Sequence, residues 1–146
     1  MGRFLTAIGL LLTLGCDGDV HKQIHGHIHV VTKRDDALVA PAVQALVEQG
    51  AQALPQIETA LHTARPQGRS RLVEVLGRIR HAETVPLLRH IALYDADARV
   101  RELAEGTIVR WAEEADAGPR GDAARLALQH LGAARAKGLG PLVREQ

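Results

Sequence analysis

Apolar positions change their rhythm twice along this chain. Residues 4–14 form an unbroken apolar or small run from Phe4 to Leu14, preceded by one charge, Arg3. Residues 17–34 alternate instead. His25, His27 and His29 are separated by Gly26 and Ile28, a period of two that places the three imidazoles on one face if the segment is extended. From Asp35 onward the spacing becomes helical. Asp35 or Asp36 can cap a helix with Leu38, Ala42, Ala45 and Leu46 on its apolar face, and Gly50 stops it. A second helix carries Leu54, Ile57 and Leu61, with Pro55 in its first turn, and Arg65 to Gly68 reads as the turn after it.

Four further helices follow. One spans about Arg69 to Arg80, with Leu72, Leu76 and Ile79 inward. The next begins near Glu83 and turns Val85, Leu88 and Ala92 to the core, again with an early proline, Pro86. The fifth carries Val100, Leu103, Thr107, Ile108 and Trp111. The sixth carries Ala124, Leu128 and Leu131, after a break at residues 117–119. Helix pairs therefore recur: Pro55 and Pro86 are 31 residues apart, and Leu76 and Ile108 are 32 apart. That period is the signature of an α-solenoid, in which each hairpin is too small to bury its apolar stripe and must stack on the next. The expected fold class is all-α, a short solenoid of about three helical hairpins, with a plain helix bundle as the alternative.

The stretch Arg71-Leu72-Val73-Glu74-Val75-Leu76-Gly77-Arg78-Ile79, followed by Val85-Pro86-Leu87-Leu88, resembles the short bacterial kind of HEAT repeat. The turn Asp95-Ala96-Asp97-Ala98-Arg99-Val100-Arg101 is similar to that family's Asp-x-Asp-x-x-Val-Arg turn. His81 stands where the family has an acidic turn residue, and Gly106-Thr107 where Ala-Leu is usual. The resemblance implies Leu76-Gly77 packed between helices, Val100 in the core, and Arg99 or Arg101 paired with Asp95 or Asp97.

The start of the chain has the form of a secretory signal: a basic residue and a short apolar core. Eleven helical residues span about 16 Å, half a bilayer core, so the run is no stable membrane span. Leu14-Gly15-Cys16 resembles the lipobox of bacterial lipoproteins, with Thr13 at the position where Leu is usual. The resemblance implies cleavage after Gly15 and a lipid on Cys16; the alternative is an ordinary signal peptide and a secreted protein. The division expected is a signal peptide over 1–15, a lipid-anchored His-rich tether over 16–34, a HEAT-like domain over 35–136 and a flexible tail over 137–146.

Composition narrows the function. Cys16 is the only cysteine, which excludes an internal disulfide and a Cys-rich zinc site. Formal net charge is +1, and removing residues 1–15 takes away Arg3 and leaves acidic and basic side chains equal in number. Such a surface lacks the basic field that a nucleic-acid binder needs. Four of the eight histidines, His21, His25, His27 and His29, lie in the tether segment and are candidate ligands for zinc, copper or nickel. The plain alternative is a solvated spacer. No catalytic constellation emerges: Ser70 is the only serine, and His62, His81, His90 and His130 are scattered over the repeats. The expected protein is non-enzymatic and lies at the bacterial cell envelope, facing the periplasm. It is expected to bind a protein partner, with metal binding or delivery through the histidines as the alternative.

Overall fold

Val20, Ile24, Ile28 and Val31 follow one another at intervals of four, four and three residues, and they are the buried or half-buried stripe of the first helix. The computed structural model describes residues 16–34, 36–116 and 118–138, with side chains from residue 18 onward. Its helices are α1 (Cys16–Lys33), α2 (Val39–Gln49), α3 (Leu54–Leu61), α4 (Pro66–Ile79), α5 (Thr84–Tyr94), α6 (Ala98–Glu113) and α7 (Gly118–Ala136). A single 3₁₀ turn, Gly50–Ala53, joins α2 to α3. The described residues contain no strand, so the all-α expectation holds. The signal-peptide segment, residues 1–15, and residues 139–146 of the expected tail lie outside the described residues.

The expected tether is corrected by the structure. Residues 16–33 are neither extended nor a spacer: they form α1, which packs on α2, α3 and α4. Ile24, Ile28 and Val31 are 2%, 6% and 0% exposed. The end of α1 is fastened from α4, where Arg71 donates to the carbonyls of Val31 at 3.3 Å and Arg34 at 2.5 Å, two groups near a helix terminus that lack an intrahelical partner.

The six helices expected after Asp35 are α2 to α7, with local differences. Asp36 organises the start of α2: its carboxylate accepts from the Leu38 N–H at 3.0 Å and from Arg34 Nε at 2.6 Å. These bonds hold the Asp36 carboxyl below its ordinary value, the Arg34 hydrogen bond foremost. Leu38 was expected in the core but precedes the helix and is 51% exposed. Gly50 ends α2 with φ +58°, a positive-φ conformation that glycine adopts without a Cβ clash. The sequence read as a turn at 65–68 is the first turn of α4. Arg65 is extended, as a residue before proline prefers, and Pro66 opens the helix with its fixed φ.

Gly68 lies in α4 where α1 crosses closely. A Cβ there would lie 3.0 Å from the Thr32 carbonyl oxygen and 3.1 Å from Thr32 Cα. Gly106, in the interior of α6, has nothing within 4 Å of its would-be Cβ. The two glycines therefore predict opposite signs. Gly106→Ala should raise stability by up to about 1 kcal/mol through helix propensity. Gly68→Ala should lower it by about 1–3 kcal/mol, since backbone cannot yield as a side chain can. Urea denaturation of both variants checks this, and stabilisation by Gly68→Ala would show that α1 does not sit against α4.

The core continues through Leu46, Ile57, Leu72, Leu76, Leu88, Val100, Ile108, Trp111 and Leu131, each no more than 1% exposed. α2 packs on α4 and α4 on α6, while α5 packs on both α6 and α7. Gly77 admits α6 to α4, with Thr107 Cγ2 3.2 Å from where its Cβ would stand. Thr107 is buried and donates its hydroxyl to the Leu103 carbonyl at 2.9 Å, which satisfies it. At the far end, Arg120 of α7 lies over the Trp111 ring, 5.3 Å from its centroid. It also pairs with Glu114, which Arg80 reaches at 2.6 Å.

α7 is further tied to α6 by a forked pair, Arg135 Nη1 and Nη2 donating to the two oxygens of Glu105 at 2.7 and 2.6 Å. The Arg135 hydrogen bond holds the Glu105 carboxyl below its ordinary value of 4.5. A carboxyl lowered by folding adds stability that is fully present above its unfolded value and is lost as pH falls through its folded one. Glu105→Gln should therefore cost stability at neutral pH and flatten the acid limb below about pH 4.5, where the wild type loses the pair. Urea midpoints measured from pH 7 to pH 3 test it, and parallel curves for the two proteins would refute it.

Candidate binding groove and histidine face

The turn after α5 holds a polar network that ties α4, α5 and α6 together. Asp97 caps α6, its carboxylate accepting from the N–H of Arg99 at 2.9 Å and of Val100 at 3.3 Å. Asp95 turns back to α4 and receives a two-pronged contact from Arg69, Nε to Oδ2 at 2.8 Å and Nη2 to Oδ1 at 2.9 Å. The side chains of this pair are 17% and 7% exposed. Arg69 also donates to the Ala64 carbonyl at 2.8 Å, and Asp95 Oδ1 accepts from the Asp97 N–H at 2.9 Å. The expected pairing of Arg99 or Arg101 with this turn's carboxylates is thus replaced. Arg101 donates to the backbone carbonyls of Asp95 and Ala96, at 2.8 and 3.2 Å. Asp95's carboxylate is already engaged by a residue 26 positions earlier.

Arg69 and Asp95 line a groove between α3 and α5 of about 850 Å³. Leu54, Pro55, Glu58 and Leu61 form one wall, followed by His62. Pro86, Leu87, His90 and Tyr94 form the other, with Glu83 and Arg89 alongside. Tyr94 is 52% exposed and its ring stands 5.0 Å from that of His90, tilted by 49°. The groove is lined by apolar and charged side chains together, with the part-buried Arg69–Asp95 pair among them. His62 and His90, scattered in sequence, are brought to it; His81 and His130 are not. His81 instead shapes its own turn, its Nδ1 accepting from the Glu83 N–H at 3.3 Å. His130 lies 2.8 Å from Arg89 Nη1. Ser70 is half-buried inside α4.

The histidines of the N-terminal segment are redistributed by helix formation. His21, His25 and His29 fall on one exposed face of α1, four residues apart, whereas His27 is half-buried and faces elsewhere. The expected grouping of His25, His27 and His29 does not arise, because successive helical residues turn by about 100°. His21, His25 and His29 line a second cleft, about 360 Å³, whose other wall is Gln56 and Thr59 of α3 and Thr63 just after it. Among the described residues no three His, Cys, Asp or Glu side chains converge as a metal-holding group. Cys16 is the first residue of α1. Among the described residues no helix is long and apolar enough to cross a membrane.

The α3/α5 groove was not legible in the sequence, since it arises where two helices diverge. Its one local signal was a tyrosine at a helix end in a chain that has few aromatics. No protein-family model matches the chain, and no curated protein or solved structure is significantly similar to it.

Proposed function

We propose that this protein is a non-enzymatic interaction module of the bacterial cell envelope, a short HEAT-like solenoid that grips a segment of a partner protein in the α3/α5 groove. The observation that carries the reading is the groove itself: a trough of about 850 Å³ with apolar and charged side chains in its lining, an exposed tyrosine on its wall and the Arg69–Asp95 pair beside it. Tyrosine offers a large, stiff contact surface with a polar end, and such residues anchor protein interfaces. The solenoid reading is supported by the order of neighbours, α2 on α4, α4 on α6 and α5 on α7. In the same reading Cys16 carries a lipid and the domain faces the periplasm. Eight residues of helix separate Cys16 from the buried Ile24, about 12 Å. A lipid at Cys16 therefore holds the domain close against the membrane, with α1 as a rigid stem.

Two measurements test this. A photo-crosslinking residue placed at position 94 should capture a discrete protein adduct in cells, while the same residue at exposed position 129 on α7 should not, and Leu87→Glu should abolish the adduct. Equal capture from both positions would overturn the groove. Metabolic acyl labelling should vanish in Cys16→Ala; labelling that persists would overturn the anchor.

A further inference from the structure

We propose that the exposed face of α1 is a metal site, in which His21, His25 and His29 form two overlapping histidine pairs that share His25 and chelate one divalent cation, Cu(II), Ni(II) or Zn(II). Residues four apart on a helix have Cβ atoms about 5–6 Å from one another, so two imidazoles can converge on one ion. Helical His pairs at this spacing are a recurrent zinc-binding arrangement. Each of the three histidines is exposed, yet the opposite face of the same helix is locked by Ile24, Ile28 and Val31. The helix is thus ordered before any ion arrives, and binding need not supply that ordering.

The surroundings suit a hydrated cation. The cleft beside the histidines is walled by Gln56, Thr59 and Thr63. The Gln56 side-chain oxygen is shielded from solvent and has no hydrogen-bond partner among the described residues. The hydroxyls of Thr59 and Thr63 donate to carbonyls of their own segment, which leaves oxygen lone pairs as acceptors. Such acceptors suit metal-bound water. Among the described residues no third His, Cys, Asp or Glu converges with a pair, so in this proposal each pair supplies two ligands and water completes the shell. This is an exchangeable site, unlike the closed four-ligand sets of structural zinc. Lys33 stands one turn beyond His29 and lines the same cleft.

The site is independent of the α3/α5 groove and makes a signature that an unstructured histidine tract cannot imitate. In an extended tract His27 works alongside His25 and His29; on α1 it stands apart. The test is calorimetric titration of the full chain, carrying no histidine tag, in detergent, with copper, nickel and zinc chlorides in turn. One ion should bind per chain, copper most tightly. His25→Gln, which breaks both pairs, should weaken binding on the order of tenfold or more, and His21→Gln or His29→Gln by about two- to threefold. His27→Gln should leave it unchanged. All three pair members are exposed, so the helical circular dichroism of their variants should match the wild type. Absence of binding, equal binding by wild type and His25→Gln, or a loss in His27→Gln as large as that in His25→Gln would each overturn the proposal.

Discussion

A chain lacking residues 16–33 is expected to lose cooperative folding. Were those residues a spacer, their removal would leave the domain intact. Instead α1 contributes Ile24, Ile28 and Val31 to the core, all nearly or fully buried. Burying such side chains is worth about 1.5–3 kcal/mol each. Together that is comparable with the whole stability of a small domain, about 5–15 kcal/mol. The deletion also bares the faces of α2, α3 and α4 that α1 covers, and it removes the Val31 carbonyl that Arg71 reaches. The expected result in urea denaturation followed by circular dichroism is a broad, low-midpoint transition or none. A milder variant separates packing from length. Val31→Asp places a carboxylate where exposure is 0% and should cost several kcal/mol, whereas His25→Ala on the opposite face should stay within about 0.5 kcal/mol. A sharp transition at the wild-type midpoint for the deleted chain would show that α1 is not part of the folded unit.

The same helix shows where reading from sequence succeeds and fails. Its buried stripe obeys helical spacing and was present in the sequence. The alternating histidines impose a competing period of two on the same residues, which an extended segment would equally satisfy. Arg65 to Gly68 has the local composition of a turn, and the close approach of α1 to Gly68 is a tertiary contact that composition does not encode. From α2 to α7 the periodicity had no competitor, and Gly50, Asp97 and the early prolines marked boundaries by local chemistry that acts regardless of tertiary context. The groove and its ion pair depend on residues 26 positions apart meeting across two helices, which no local pattern encodes.

Asp95→Ala is expected to be the most damaging single polar substitution in the domain, costing about 3 kcal/mol. Asp95 joins three segments at once. Its carboxylate takes both prongs of Arg69 from α4 and the N–H of Asp97 from the α6 cap, while its carbonyl accepts from Arg101. Truncation strands the Arg69 guanidinium, only 17% exposed, with one remaining acceptor at Ala64. A charge left partly buried without its partner is the costly case, and the pair itself adds little beyond what an apolar pair of similar shape would give. Three variants separate these contributions. Asp95→Asn keeps an acceptor for the Asp97 N–H and should lose less than Asp95→Ala. Arg69→Met should lose less again, because the carboxylate it abandons still accepts from backbone. Arg69→Met combined with Asp95→Asn should be more stable than the sum of the single losses implies, with a coupling of about 1–3 kcal/mol. Urea denaturation of the four proteins at pH 7 gives the cycle. Additive losses would mean that the two side chains do not act together, and the floor of the α3/α5 groove would then be held by apolar packing alone. If they do couple, the groove is built on a fixed brace, and the Tyr94 wall is held in shape by it.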